Sequence, residues 1–582
     1  MEENNLEKMR HSLAHILMQA LIRLYDATPG VGPAISDGFY HDFDSENPAT
    51  EKDLKKIEKE MKKIISENLP IERKVLPIDE AISLLEEKKY IYTKELAEKL
   101  KAEVETEVSF YEQGEFINMC KGPHLKSTGE INSEAFKLTK IAGAYWLNDE
   151  NNKMLQRIYG LAFETPENLE AHKEMLLEAE KRDHRKIGKE LDLFTFSELV
   201  GSGLPLFTPK GTAVRDAIIE KIHTLQKKHG YQKVSIPHIT KKDLYKTSGH
   251  WEKFGDELFK VKGKGDTEFV MKPMNCPHHT QIYASQPRSY RDLPVRYTEA
   301  TMVYRDEQAG ELLGLSRVRS ITQDDGHVFC TPEQIENEIK SIIQVIKEFY
   351  EALNMYDAGN FWVSLSVRDP KTPEKYLGDK EVWDKSESIL EETAKKENLP
   401  YKRVEGEAAF YGPKLDFMFK DAIGREWQLA TAQLDFNMPK RFELEYTDKD
   451  GTKKIPVMIH RAIAGSLERF LSVIIEHFAG AFPFWLAPVQ IKVLPIAEAH
   501  KEYAQSIFNS LKEKGFRIEI DESNEGLGKK IRKAKTEKIP YLLIIGDKEV
   551  ESKTITIESR DDGNLGAMSE DEFLKKLSST KV

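Results

Sequence analysis

Cys276 in Met274-Asn-Cys-Pro-His-His279, His327 in Gln323-Asp-Asp-Gly-His327 and His460 in Ile459-His-Arg461 are residue types that ligate zinc. They lie too far apart for a zinc finger. A shared metal would need them gathered from separate strands, giving three protein ligands and one open position for a substrate. Spacing alone leaves a second reading open, a buried cysteine and unrelated polar histidines. Arginines fall in the same stretch: Arg305 in Tyr-Arg-Asp-Glu307, Arg317 and Arg319 in Arg-Val-Arg, and Arg469 in Gly465-Ser-Leu-Glu-Arg469. A planar guanidinium matches a phosphate bidentately, so several converging arginines make a triphosphate clamp. Each alone reads more readily as a surface ion pair. The chain has no Gly-x-x-x-x-Gly-Lys-Ser/Thr loop and no Gly-x-Gly-x-x-Gly between a strand and a helix, so neither P-loop nor Rossmann binding is indicated.

A second set lies near the N-terminus. His11-Ser-Leu-Ala-His15 puts two imidazoles at i and i+4 on one helix face, and Cys120-Lys-Gly-Pro-His124 adds a thiol and a third imidazole. A second metal site and a packed pair of helix histidines both fit this pattern. A zinc hydrolase does not, because there is no His-Glu-x-x-His and the helix pair lacks its glutamate base.

The chain that must position these residues has 582 residues, enough for about four domains of ordinary size. Its 86 Lys+Arg against 98 Asp+Glu, a net charge of −12, exclude a histone-like or ribosomal-type polycation. Contact with nucleic acid must then come from local basic patches on an acidic body. Hydrophobic residues at 40% suffice for ordinary cores. Three cysteines cannot frame a disulfide-stapled fold and point to a reducing compartment. The most apolar stretch, residues 478–489, is too short for a membrane span and carries Pro483 and Pro488. The start, Met-Glu-Glu-Asn-Asn, has no apolar signal region, so a cytoplasmic protein without membrane contact is expected.

Periodicity predicts helices over residues 11–25 and 54–67 and an extended segment over 39–43. Residues 166–189, dense in helix formers of both charges, read as one long solvated connecting helix. After Gly201, Gly203, Pro205 and Pro209 come a helix over 211–229, strand-rich segments and an apolar helix over 467–478, the pattern of an antiparallel sheet with helices packed on it. Beyond Pro488, short apolar runs at 489–496, 516–521 and 541–546 alternate with helical stretches, as in a small α/β unit with some parallel pairing. The fold class is therefore α+β multidomain, with boundaries near 165, 195 and 487.

The stretch Arg296-Tyr-Thr-Glu-Ala-Thr-Met-Val-Tyr-Arg-Asp-Glu307, continued by Gly314-Leu-Ser-Arg-Val-Arg-Ser-Ile-Thr-Gln-Asp-Asp-Gly-His327, resembles motif 2 of class II aminoacyl-tRNA synthetases. Ala464-Gly-Ser-Leu-Glu-Arg469 resembles motif 3, and the helix from Gly211 running to Val234-Ser-Ile-Pro237 resembles the dimer-forming motif 1. Met-Asn-Cys-Pro, Gln-Asp-Asp-Gly-His and Ile-His-Arg-Ala are similar to the threonyl-specific family within that class. The resemblance covers essentially the whole chain. It implies an editing domain over 1–165, a connecting helix over 166–195, a class II antiparallel-sheet catalytic domain over 196–486 and an α/β anticodon-binding domain over 487–582. It also implies that the small ubiquitin-like domain many bacterial relatives carry first is lacking here.

By matching position, the resemblance implies one Zn²⁺ per subunit on Cys276, His327 and His460, taking the amine and hydroxyl of threonine. Gln323, Asp325, Tyr411 and Gln433 would line the threonine pocket. Arg305 would hold the ATP α-phosphate, Glu307 the adenine and Arg469 the γ-phosphate, with Arg317, Gln428 and Mg²⁺ completing the nucleotide site. His250, in Ser248-Gly-His-Trp251, would help deprotonate the terminal ribose hydroxyl of tRNA(Thr). His11, His15, Cys120 and His124 would hydrolyse Ser-tRNA(Thr), although Asn118 stands where an aspartate is common. The basic cluster Lys529, Lys530, Arg532, Lys533, Lys535 and Lys538 would hold tRNA phosphates, or else form a solvated helix face. Glu549 matches an anticodon-contacting position, and Glu558 occurs where some relatives have an arginine, for which Arg560 could substitute. The expected partners are tRNA(Thr), threonine, ATP and a second copy of the chain. Besides the zinc hydrolase already set aside, two rivals are weighed: an RNA-binding regulator that has lost chemistry, which would not need all six of Arg305, Glu307, Arg469, Cys276, His327 and His460, and a class II enzyme for proline or serine, against which the Cys/His/His set speaks.

Overall fold

The computed structural model describes residues 3–579, and packing divides the chain into two units, one ending at Glu178 and one beginning at Ala179. In the first, helix α1 (Glu3–Tyr25) sends Leu13, Ile16, Leu17 and Leu21 into a core where all four are fully buried. Strand β1 (Gly38–Asp44) follows, then α2 (Leu54–Ser66), which buries Leu54, Ile57, Met61, Ile64 and Ile65 at helical spacing and turns its lysines and glutamates outward. Strands β2 (Glu72–Pro77), β3 (Glu107–Gln113), β4 (Phe116–Met119), β5 (Phe136–Tyr145) and β6 (Met154–Ala162) complete two antiparallel sheets, one with the order β1-β6-β5 and one with the order β2-β3-β4.

The single solvated helix expected over 166–189 is two helices. α3 (Pro166–Arg182) stops at Arg182, and Asp183 accepts the Arg185 N–H to cap α4 (His184–Glu190). Aspartate is as good a helix starter as it is a solvated residue, so charge density hid the break. α4 is not a solvated rod either, since His184, Ile187 and Gly188 are buried.

In the second unit, α5 (Pro209–Lys228) is capped by Thr208 and opens with Pro209. It is followed by β7 (Gln232–Lys233), α6 (Cys276–Ala284), β8 (Val295–Tyr304), β9 (Ser320–Cys330), α7 (Ile335–Glu351), β10 (Phe361–Val367), β11 (Tyr401–Glu405), β12 (Lys414–Lys420), β13 (Glu426–Asp435), β14 (Val457–Ala462) and α8 (Leu467–His477). The eight strands form one sheet ordered β7-β8-β9-β14-β13-β12-β10-β11, antiparallel except for the two end pairs. Because side chains alternate across a strand, Val328, Cys330, Ala432, Leu434, Val457 and Ile459 share the face packed against α5, α7 and α8. The residues between them, His327, Gln433 and His460 among them, must point to the other face.

The C-terminal strands β15 (Ile491–Pro495), β16 (Ile518–Ile520), β17 (Tyr541–Ile545), β18 (Ile555–Ser559) and β19 (Gly563–Met568) form a sheet ordered β16-β15-β17-β18-β19, with β15 parallel to both neighbours; helix α9 (Leu527–Thr536) lies between β16 and β17 in sequence. Packing continues across residue 487, where Arg517 donates to the carbonyls of Ala487 (2.9 Å) and Trp485 (2.6 Å). Among the described residues no helix is long and apolar enough to cross a membrane.

Candidate active site

Register gathers the site. Tyr297, His327, His460 and Gln433 lie opposite one another along β8, β9, β14 and β13, one row across the sheet. Asp325 and Gln323 follow His327 on the same face at the period of two, and Thr431 follows Gln433. Cys276 enters from above as the first residue of α6. Its sulfur and one nitrogen from each of His327 and His460 lie within 4.8 Å of one another, and all three residues are buried.

The far sides of the imidazoles are occupied. His460 Nε2 lies 3.0 Å from Asp435 Oδ2, and His327 Nδ1 lies 2.7 Å from His279 Nδ1. The inner nitrogens, His327 Nε2 and His460 Nδ1, face each other at 3.1 Å. Outer partners that fix each ring and leave its inner lone pair toward shared space are the usual surroundings of zinc-binding histidines. Burial, with Asp325 and Asp435 nearby, pushes the Cys276 thiol well above its ordinary value, so without a cation it stays protonated. One thiolate and two imidazoles with room for a fourth donor suit zinc better than a harder ion. His279 was not foreseen as a member of the site; its position three residues after Cys276, on the same helix face, was the available signal.

A cavity of about 210 Å³ opens beside this triad, lined by Arg305, Gln323, Asp325, Tyr411, Thr431 and Gln433 among others. Tyr411 donates to Gln433 Oε1 at 2.6 Å, and Asn275 donates to Asp325 Oδ2 at 3.1 Å. Burial raises the Asp325 carboxyl above its ordinary value, against the pull of His279 and His460. A second cavity of about 330 Å³ is lined by Gln428, Gly465, Ser466 and Arg469 together with Arg305, Gln323, Thr431 and Ala462. The last four residues line both cavities, so the chambers adjoin and Arg305, one residue past the end of β8, stands at their seam.

Beneath the sheet lies a network the sequence did not announce. Arg461, fully buried, donates to Asp324 Oδ1 (2.9 Å) and Thr298 Oγ1 (2.6 Å). Asp324 Oδ2 accepts the N–H groups of Ile463 (2.7 Å) and Ala464 (3.1 Å), fixing the approach to α8. Gln226 of α5 donates to Asp324 and accepts from Thr298. A buried ion pair is tolerable here because both Asp324 oxygens and two of the three Arg461 nitrogens find partners, Arg461 Nε alone being left without one.

Three expected residues stand apart. Glu307 and Arg317 line neither cavity; Arg317 donates to Glu307 Oε2 at 2.8 Å. His250 is buried, lines neither cavity, and has Nδ1 2.8 Å from Ser248 Oγ. Burial, then His460, bring its imidazole down to about 4, and a base that weak is poorly matched to taking a ribose proton near neutrality.

In the first unit, His11 and His15 of α1 meet Cys120 and His124, and their donor atoms too lie within 4.8 Å of one another. Cys120 Sγ is 3.2 Å from His11 Nε2 and 3.3 Å from His124 Nε2, and Ser12 Oγ is 3.3 Å from His124 Nδ1. The turn that brings them together needs Gly122, whose φ is +68° and where a Cβ would sit 2.2 Å from Tyr111 Oη. Burial lowers all three imidazoles, His15 far below its ordinary value and His124 to about 3, and raises the Cys120 thiol. The cluster is thus neutral near pH 7. Asn118 is buried on β4 with Oδ1 accepting the Met119 N–H at 2.9 Å.

Of the C-terminal expectations, one needs correction. Lys530 is buried, its Nζ donating to the carbonyls of Pro495 (3.1 Å) and Asp521 (2.9 Å), so it ties α9 to the sheet and is not available to a phosphate. Glu549 accepts from Gly546 N–H (2.9 Å), the bond of a helix start, and from Thr556 Oγ1 of β18 (2.7 Å). Glu558 pairs with Lys535 (2.6 Å), and Arg560 donates to the Lys538 carbonyl (3.0 Å) and pairs with Asp561 (2.9 Å). Arg532 and Lys533 remain on the exposed face of α9.

Three family descriptions match the chain: the class II tRNA synthetase core domain of the G, H, P, S and T enzymes over residues 259–478, an anticodon-binding domain over 490–580, and the second additional domain of threonyl- and alanyl-tRNA synthetases over 108–159. The chain is 49% identical to the threonine–tRNA ligase of Gloeobacter violaceus, over 97% of its own length and 90% of that protein's. It is 50% identical to the threonine–tRNA ligase of Caldanaerobacter subterraneus, over 97% and 86% of the two lengths. A crystal structure described as the RNA-binding domain of threonyl-tRNA synthetase from Cryptosporidium parvum superimposes with a TM-score of 0.65 at 37% identity, covering 68% of this chain and 98% of that one.

Proposed function

Because the chain belongs to the threonine–tRNA ligase family, we propose a division of labour among its sites. The protein is an aminoacyl-tRNA synthetase: it activates threonine with ATP, transfers it to tRNA(Thr), and hydrolytically edits Ser-tRNA(Thr). The observation that carries the site assignment is the seam at Arg305, which joins a chamber walled by amino-acid-recognising side chains to one walled by Gln428 and Arg469.

Cys276, His327 and His460 would hold one zinc ion per subunit, which when bound offers an open coordination position to an amine and a hydroxyl. Valine has the shape but lacks the hydroxyl, and an apolar pocket alone separates such isosteres only about 10²-fold. Asp325 accepts the hydroxyl hydrogen bond, while Gln323, Tyr411 and Gln433 close around the rest of the amino acid. Arg305 meets the α-phosphate, where charge grows as the threonine carboxylate attacks. Gln428 and Arg469 take the remainder of the triphosphate, Mg²⁺ held there would supply neutralising charge to the pyrophosphate, and adenine is received at the Glu307–Arg317 pair. The homodimer forms along α5, where a groove lined by Asp216, Ile219, Glu220 and His223 is open. The C-terminal unit and the exposed cations of α9 take tRNA(Thr) in the cytoplasm.

ATP–pyrophosphate exchange tests the reading. Threonine supports exchange, serine supports it about 10–200-fold less well, and valine and proline do not support it. Preference for proline or serine would overturn the assignment.

Serine passes any amine-plus-hydroxyl filter, so accuracy rests on the His11/His15/Cys120/His124 cluster. Asn118 cannot be an ionised base, and the three neutral imidazoles with an ordered water carry the hydrolysis. Replacing His11 and His15 together by alanine should slow deacylation of Ser-tRNA(Thr) by about 10²-fold or more while leaving threonine-dependent exchange intact. Since burial holds all three imidazoles below the usual histidine value, any inflection of the deacylation rate from their protonation should fall below pH 6.5. Unchanged deacylation in the double variant would remove the editing assignment.

A further inference from the structure

Among the described residues one further cluster of metal-type donors exists, Asp183, His184 and Glu476, with ligand atoms within 4.8 Å of one another. It is not a metal site, because its donors are already spent. His184 Nδ1 lies 2.7 Å from Glu476 Oε1 and donates to it, while Nε2 lies 3.1 Å from the Leu315 N–H and accepts from it. Glu476 Oε1 also receives the His184 backbone N–H (3.1 Å), and Oε2 receives the Arg425 guanidinium. Asp183 caps α4 and holds the Arg185 side chain at 3.0 Å.

This imidazole joins the helix that carries Arg469 of the second cavity to a loop that lies outside that cavity's lining. Leu315 lies two residues before Arg317, in the loop between β8 and β9 that also carries Glu307. The loop is pressed against the ring: Gly314 has φ +50°, and a Cβ there would stand 2.3 Å from His184 Nε2. Ser316 of the same loop bonds to Ser472 of α8 at 2.9 Å. Glu476 is in the last turn of α8, whose first turn carries Arg469. Its partner Arg425 is also held by Asp421 (2.6 Å), which accepts from the Trp427 indole (3.0 Å). The Trp427 ring lies under the guanidiniums of both Arg425 (5.4 Å) and Arg469 (5.8 Å). A continuous set of contacts therefore runs from the loop of Arg317, through His184 and Glu476, to the ring beneath Arg469.

We infer that His184 is a positioning residue for ATP: one imidazole on α4 ties the Arg317 loop to the helix of Arg469, so that the two arginines meet the nucleotide without first being ordered. Loops and long side chains that must be ordered on binding weaken affinity, and a contact that orders them beforehand restores it. The inference rests on the second cavity being the ATP site.

Three variants separate positioning from bulk stability. His184→Asn keeps an amide donor where Nδ1 meets Glu476 but withdraws the acceptor from Leu315; His184→Gln keeps an acceptor within reach of Leu315; His184→Ala removes both. With one hydrogen bond to the loop lost, His184→Asn and His184→Ala should raise KM for ATP about five- to tenfold in threonine-dependent exchange. The KM for threonine should stay within about twofold of wild type, and His184→Gln should bring the ATP value most of the way back. Unchanged KM for ATP in His184→Asn, or equal rises for ATP and threonine without recovery in His184→Gln, would overturn the inference. If His184→Ala proves unstable, His184→Asn decides, because its Glu476 anchor is kept. Wild-type protein lacking exchange altogether would overturn the reading of the cavity and the inference with it, whereas wild-type exchange with an unmoved ATP KM removes the inference alone.

Discussion

Cys276→Ala protein is expected to purify without zinc and to lose threonine-dependent exchange by about 10³-fold, the scale of several kcal/mol that a Lewis-acidic metal supplies. The geometry makes the loss specific. His327 and His460 come from adjacent strands and stay in place through β9–β14 pairing, His279 and Asp435, so alanine at 276 does not scatter them. Two imidazoles alone are one ligand short of a catalytic zinc site, and α6 offers no second sulfur. Binding of a non-hydrolysable ATP analogue should survive, because the chamber of Gln428 and Arg469 does not include Cys276. Deacylation of Ser-tRNA(Thr) should survive as well, since its cluster belongs to the other unit. Metal analysis, exchange and nucleotide binding on one preparation give the answer. A variant that keeps both zinc and exchange, or an active wild type with no zinc, would remove the metal from the account.

How far such a site can be read from sequence depends on which periodicity carries it. The row of His327, His460 and Gln433 obeys the strand period, and motif resemblance named all three before any strand was paired. The hydrophobic pattern likewise locates α2, α5, α8 and the C-terminal strands β15, β16 and β17 within a few residues, but not β18 and β19. What the sequence leaves hidden is set by contacts between distant elements. Arg461 follows a proposed zinc ligand and looks like a second site arginine, yet strand alternation sends it to the opposite face, where Asp324 neutralises it. Lys530 sits in a basic run and reads as a phosphate ligand until the carbonyls of Pro495 and Asp521 are brought to it. Asp183 is indistinguishable by charge from the solvated residues of α3, and only the burial of α4 makes it a cap. Charged residues are the hardest to place from sequence, because the same side chain serves solvent, a buried partner or a substrate, and tertiary structure decides which.

The second large effect should come from Arg305. Arg305 lines both chambers, and on the proposed assignment that seam is where the threonine carboxylate and the α-phosphate approach and where charge develops only during attack. A donor of that kind contributes to the transition state more than to either ground state. Arg305→Ala should therefore lower kcat for exchange by about 10²–10³-fold while the KM values move far less. Arg469→Ala, in the wall of the second chamber, should show mainly a raised KM for ATP, since in the proposed role it would hold phosphate oxygens whose charge changes little during attack. Lysine at 305 supplies a charge but not the planar fork, so Arg305→Lys should recover only a small part of the lost rate. The Arg305 backbone N–H bonds to the Arg319 carbonyl at 3.0 Å, a contact that none of these substitutions removes, so the chain should still leave β8 along the same path. If Arg305→Ala instead raised KM for ATP with kcat unchanged, the arginine would be gripping the nucleotide uniformly, and the attack would have to be placed elsewhere in the two chambers.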